Sequence, residues 1–196
     1  MAKAKKKAAK SKHRAKSRSA AVPQDAVALL KADHRQVEQW FEQFESTRSD
    51  DRKSKLARQI CQALTVHTEI EEEIFYPACT AKIEEDLLKE AYVEHDGAKV
   101  MIAELLASSP GEDFYDAKLK VLSEEIKHHV KEEEHRSDGM FAQARAAGLD
   151  MDALADRMAA RKEELLAEFK ANGLPTPKTR SFTGHKLRQG EPVAAV

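Results

Sequence analysis

Apolar residues recur at three- and four-residue intervals over most of the chain, the period of helices that bury one face. After Pro23, Leu30, His34, Val37, Phe41 and Phe44 form such a stripe and predict a first helix to about residue 46. The polar run Ser46 to Asp51 supplies a turn and a cap for a second helix, whose inward series is Ile60, Leu64, His67, Glu71 and Ile74. Pro77 is expected to stop that helix, because its ring removes a donor and clashes with the preceding turn. A third stripe runs from about Ile83 to Ala107 through Leu88, Tyr92, His95, Lys99 or Val100, Ile102 and Leu106. A fourth, from about Glu112 to Ala147, carries Leu119, Leu122, Ile126, His129 and Glu133 before Gly139, which weakens or bends it. A fifth spans Asp150 to Lys170.

Four long helices joined by short polar turns read as an all-α, antiparallel up-down four-helix bundle with an additional C-terminal helix. On this reading residues 1–22 are a disordered basic tail, 23–147 the bundle, 148–172 a flanking amphipathic helix and 173–196 an irregular tail.

Charge divides the chain unevenly. Nine of its 33 Lys and Arg and none of its 34 Asp and Glu lie in residues 1–20, leaving a remainder with 24 basic against 34 acidic residues, a net −10. The body thus offers no broad basic surface, whereas residues 1–20 suit weak contact with DNA phosphates. No apolar run reaches the length of a membrane span. The two cysteines, Cys61 and Cys79, build no disulfide framework, so a reducing cytoplasm is expected.

The chemistry concentrates on the inward stripes. His67 and Glu71 on the second helix, and His129 and Glu133 on the fourth, stand four residues apart, hence one turn apart on one face. Each His is preceded at three and seven residues by apolar side chains, Leu64 and Ile60 or Ile126 and Leu122, so that face points into the bundle. The first and third helices add His34 and His95. Burying two carboxylates without compensation is costly, and a cation removes the difficulty. Imidazole with carboxylate suits Fe(II), Fe(III), Mn(II) or Zn(II), and four His with two Glu exceed what one tetrahedral ion needs. Two metals bridged by Glu71 and Glu133 fit the count best. His128, with Glu132 four residues on, is the alternative register on the fourth helix; the phase of Ile126 and Leu122 favours His129. Glu72, Glu73, Glu132 and Glu134 read as solvated acidic faces and Tyr92 as an ordinary half-buried core aromatic, with a hydrogen bond toward the centre as its alternative, an alternative that Tyr76 suits less still.

The segments Asp33-His34, His67 to Pro77, Glu94-His95-Asp96 and His129 to Glu134 resemble the hemerythrin-like, HHE cation-binding family over roughly residues 24–145. The resemblance implies a hemerythrin-like bundle with two non-haem irons joined by an oxo or hydroxo bridge. His34, His67, His95 and His129 would then be terminal ligands, and Glu71 and Glu133 bridging ones. Oxygen-carrying members have a further His where Lys99 stands, so simple reversible O2 carriage does not follow. The resemblance implies a protein that binds, senses or consumes O2, peroxide or nitric oxide. A diiron peroxidase- or oxidase-like enzyme and a DNA-associated iron-binding stress protein are the alternatives.

Overall fold

The computed structural model describes residues 25–182. The basic tail expected over 1–22 lies outside them, as do residues 183–196. Four long helices form the bundle: α1 (Ala26–Ser46), α2 (Asp50–Ile70), α4 (Glu85–Leu106) and α5 (Tyr115–Glu133). The first two begin at side-chain caps, the second within the polar run expected to supply one: Asp25 accepts from the Ala28 N–H at 2.9 Å, and Ser49 from that of Arg52. Around the bundle α1 neighbours α2, α2 neighbours α4, α4 neighbours α5, and α5 closes the ring on α1.

Pro77 does not end the second helix. After Ile70 the chain widens into a π-turn over Glu71–Phe75, closed by the Tyr76 N–H on the Glu71 carbonyl, and continues as a short α3 (Tyr76–Cys79) with Pro77 inside its first turn. A proline early in a helical turn leaves no donor stranded, so the change of hydrogen-bond register at the π-turn lets the helix run on to Cys79.

The fourth helix is shorter than its stripe. It starts at Tyr115, ends at Glu133, and the chain turns back before α6 (Met140–Ala146). Gly139 lies hard against the end of α5: a Cβ there would stand 2.6 Å from the Glu132 carbonyl and 2.7 Å from that of Glu133. Gly139→Ala is therefore expected to destabilise the protein by about 1–3 kcal/mol, lowering Tm by roughly 2–4 °C per kcal/mol; thermal unfolding checks it. The turn carries Phe141 over the His34 ring, with centroids 6.0 Å apart.

The fifth helix, α7 (Met151–Asn172), is capped by Asp150 and lies along α1 and α2. Residues 173–182 are irregular, yet they return to α4. There the buried Asp96 accepts hydrogen bonds at Oδ2 from the backbone N–H groups of Arg180 (2.8 Å) and Ser181 (2.5 Å) and from Ser181 Oγ (2.6 Å). The Arg180 guanidinium lies 4.2 Å from the centroid of the Tyr92 ring.

The apolar core is in two parts. One, with Leu30, Ile70, Phe75, Met140 and Met158, lies toward α6 and α7; the other, with Phe41, Ile60, Leu64, Ile102 and Leu122, fills the opposite half of the bundle. Between them runs a polar layer formed by the inward histidines and carboxylates.

Candidate metal centre

All six residues singled out on the inward stripes are buried: His34, His67, Glu71, His95, His129 and Glu133 are each at most 5% exposed. Their ligand atoms converge. His34 Nε2 and His67 Nε2 stand 2.9 Å apart, and His95 Nε2 and His129 Nε2 3.2 Å apart. Glu71 Oε2 lies between the pairs, 3.2 Å from His67 Nε2 and 3.4 Å from His95 Nε2. Glu133 Oε2 does the same for the other two, 3.5 Å from His34 Nε2 and 3.6 Å from His129 Nε2. Two donor groups result, one of His34, His67, Glu71 and Glu133, the other of Glu71, His95 and His129. Bonds of about 2.0–2.2 Å to a common ion bring neighbouring donors to about 3–3.5 Å, which is the spacing here.

The chemistry of this donor set fits cations. Glu71 is fully buried and neither of its oxygens has a hydrogen-bond partner, nor does Glu133 Oε2. Orphaned buried acceptors of this kind are rare because their desolvation goes uncompensated.

His128 is on the outside, its side chain 60% exposed, while His129 faces the axis. The solvated-face reading of the acidic runs needs correction for Glu72 and Glu134, which are largely buried and hold histidines. Glu134 Oε1 accepts from His34 Nδ1 at 2.8 Å, Glu72 Oε1 from His95 Nδ1 at 3.1 Å, and Glu94 Oε2 from His129 Nδ1 at 2.7 Å. Asp33 faces His67 Nδ1 at 3.7 Å, beyond direct hydrogen bonding. Each carboxylate comes from the helix before the histidine it serves, in a ring from α1 to α2, α4, α5 and back to α1. All four adjoin an inward residue in sequence: Asp33 and Glu94 precede His34 and His95, while Glu72 and Glu134 follow Glu71 and Glu133. One step along a helix turns a side chain by about 100°, away from the axis and toward the neighbouring helix. That adjacency was the available signal. With Nδ1 engaged outside, the His34, His95 and His129 rings present Nε2 inward, and the His67 ring does so with its Nδ1 facing Asp33 without a hydrogen bond.

Tyr76, rather than Tyr92, reaches the centre. Its hydroxyl donates to Glu133 Oε1 at 3.0 Å and stands 3.1 Å from His95 Nε2, while Tyr92 packs edge-on against the Tyr76 ring. Nine residues beyond His67, an unbroken helix would put Tyr76 about 180° away. The π-turn absorbs one residue and brings it to about 80°. Of the two candidates at the next inward turn of α4, Lys99 is buried and Val100 exposed. The Lys99 ammonium donates to Glu72 Oε1 at 2.6 Å.

Burial sets the protonation of the layer. It holds His67 below, and His95 well below, the usual 6.5, the latter helped by His129. Burial also depresses His129, but Glu133 and Glu94 outweigh it and leave that ring above its ordinary value. Burial, then the neighbouring Glu133, pushes Glu71 well above 4.5. Because the unfolded chain takes up protons that His67 and His95 refuse, their contribution is whole above 6.5 and lost as pH falls toward their depressed values. Glu71 works in the opposite sense: the metal-free fold loses stability as pH rises from 4.5 toward its raised value. A bound cation removes that second loss by accepting the carboxylate as an anion, whereas acid competes with it for ligands. Added metal is therefore expected to raise Tm more at about pH 7.5 than at about pH 5.5. Equal shifts at both would contradict it.

A bundle that converges four histidines and two carboxylates from four helices, each ring faced by an outer carboxylate, defines a cation-binding helical protein. Residues 25–137 match the hemerythrin HHE cation-binding domain family, and the chain belongs to it. Its fold is similar to the crystal structure of a hemerythrin HHE cation-binding domain-containing protein from Mycobacterium kansasii, with 23% identity, a TM-score of 0.61, and 76% of this chain and 94% of that one covered. A protein of Nostoc sp. described as a DNA nickase is 26% identical over 106 residues, which are 54% of this chain and 30% of that protein.

Proposed function

We propose that the chain is a non-haem diiron protein that binds, senses or consumes O2, peroxide or nitric oxide. The observation that carries this reading is Glu71, a fully buried carboxylate with both oxygens unpartnered and shared between two donor groups. His34 and His67 would help hold one iron and His95 and His129 the other, with Glu71 and Glu133, each placed between the two histidine pairs, shared by both. Bound iron supplies redox and Lewis-acid chemistry.

The chain's own residues do the rest. The outer carboxylates orient the rings, and Tyr76 keeps its proton, because burial and Glu133 push its hydroxyl well above 10, so it donates to Glu133. A cavity of about 20 Å³ adjoins the histidines and is walled by Val37, Leu64, Ile126 and Val130. About 10–15 Å³ is the room one water needs, so the space has room for a molecule of the size of O2, nitric oxide or peroxide. Lys99, drawn away to Glu72, contributes no further nitrogen ligand on α4.

No helix among the described residues is long and apolar enough to cross a membrane. Cys61 and Cys79 are buried free thiols, with burial pushing each up to about 12, which accords with a reducing cytoplasm.

Metal analysis with an anaerobic-to-aerobic optical spectrum tests the proposal. About two irons per chain and a spectrum that changes on exposure to O2 are expected; a single equivalent of zinc would overturn the redox reading. Repeated turnover of peroxide with a defined reductant would place the protein among enzymes. A second reading, contact with DNA through residues 1–20, draws on their nine basic residues and on the description of the Nostoc relative as a DNA nickase. DNA retention that weakens with salt and disappears when residues 1–20 are removed supports it; retention unchanged by their removal rejects it.

A further inference from the structure

The four outer carboxylates are not equivalent. Asp33 pairs with Lys162, Glu72 with Lys99, and Glu134 with Arg35 and Lys31. Glu94 has no Lys or Arg ion pair among the described residues. Facing it instead is His128, with Nε2 3.6 Å from Glu94 Oε1 and 3.2 Å from Glu132 Oε1. The first distance is too long for a hydrogen bond. Both fall in the range of donors sharing an ion at about 2.0–2.2 Å, where tetrahedral neighbours stand about 3.4 Å apart. One donor atom from each of Glu94, His128 and Glu132 lies within 4.8 Å of the other two. Glu125 lies in the same depression as Glu94 and His128.

The position of Glu94 and His128, two of the three, is the second observation. A depression of about 220 Å³ is lined by Glu94, Glu125 and His128 at the surface and by His95 and His129 beneath. Glu94 spans the two levels, with Oε1 toward His128 and Oε2 bonded to His129 Nδ1. Carboxylates with an imidazole in a depression floored by buried histidines suit a divalent transition-metal ion.

We propose that Glu94, His128 and Glu132 form a second, surface cation site that captures a divalent transition-metal ion such as Fe(II) and loads it into the buried centre beside His95 and His129. The loading role rests on the diiron reading above; the surface site does not. His128 is exposed and Glu132 partly so, which makes both replaceable without disturbing the core.

Metal-free full-length chain titrated with Co(II) alone, followed by equilibrium dialysis and visible absorption, tests it. Two tight equivalents and a weaker third are expected. His128→Ala and Glu132→Gln, made separately, should each weaken the third by at least about tenfold and leave the tight pair unchanged. Fe(II) incorporation into the buried centre should slow by about fivefold or more in both variants. A third equivalent unchanged in both variants overturns the site, and an unchanged incorporation rate overturns its loading role. A chain that binds the weak equivalent without a tight pair upholds the surface site and refutes the diiron reading instead.

Discussion

Glu71→Gln is expected to abolish binding of both buried metals while making the metal-free protein more stable. The opposite signs have one origin. Glu71 is the donor common to both groups, so its amide replacement offers each ion a weaker, neutral ligand. Without metal, the carboxylate is fully buried, unpartnered and close to Glu133. Removing its ionisation relieves about 1–3 kcal/mol, which raises the metal-free Tm by about 2–4 °C per kcal/mol. Metal analysis and paired melting curves with and without metal read both effects. If the Glu71→Gln protein kept two tightly bound ions, or if its metal-free form melted below wild type, Glu71 would be an ordinary core carboxyl.

Ending the chain at Asn172 is expected to destabilise it more than the irregular conformation of the residues removed suggests. The truncation strips Asp96 of three donors from Arg180 and Ser181 and opens it to water, with Lys99 Nζ at 3.5 Å as its remaining ion pair. Loss of charge-assisted bonds to an anion that water then reaches costs about 1.5–3 kcal/mol, or a fall in Tm of roughly 3–12 °C. Ser181→Ala removes only the hydroxyl and should cost about 1–1.5 kcal/mol. Because Lys99 also holds Glu72, which holds His95, the truncated chain should bind metal more weakly as well. Unchanged melting and metal content would mean that the segment merely rests on α4.

The inward stripes were legible because helix phase is local: a His and a Glu four residues apart, preceded by Leu and Ile at three and seven, point one way whatever surrounds them. The same logic separates His129 from His128. It misses Tyr76, because the π-turn at Glu71–Phe75 changes the phase, and the cost of widening a turn is met by packing Phe75 and Tyr76 into a core that the local pattern does not describe. It misses the partners of the outer carboxylates for a different reason. Glu72 and Glu134 look like members of solvated runs until a histidine on the next helix arrives at hydrogen-bond distance.

Periodicity and hydrophobicity are properties of neighbours along the chain, and they were enough to specify the amphipathic helices, a cap within the run Ser46 to Asp51, and the face on which each candidate ligand stands. Folding in three dimensions was needed to settle which carboxylate serves which histidine, that Tyr76 and Phe141 close over the layer, that the fourth helix ends at Glu133, and that residues 180 and 181 pin α4. These depend on contacts between residues distant in sequence, formed only when the bundle closes and burial makes every unpartnered polar atom costly.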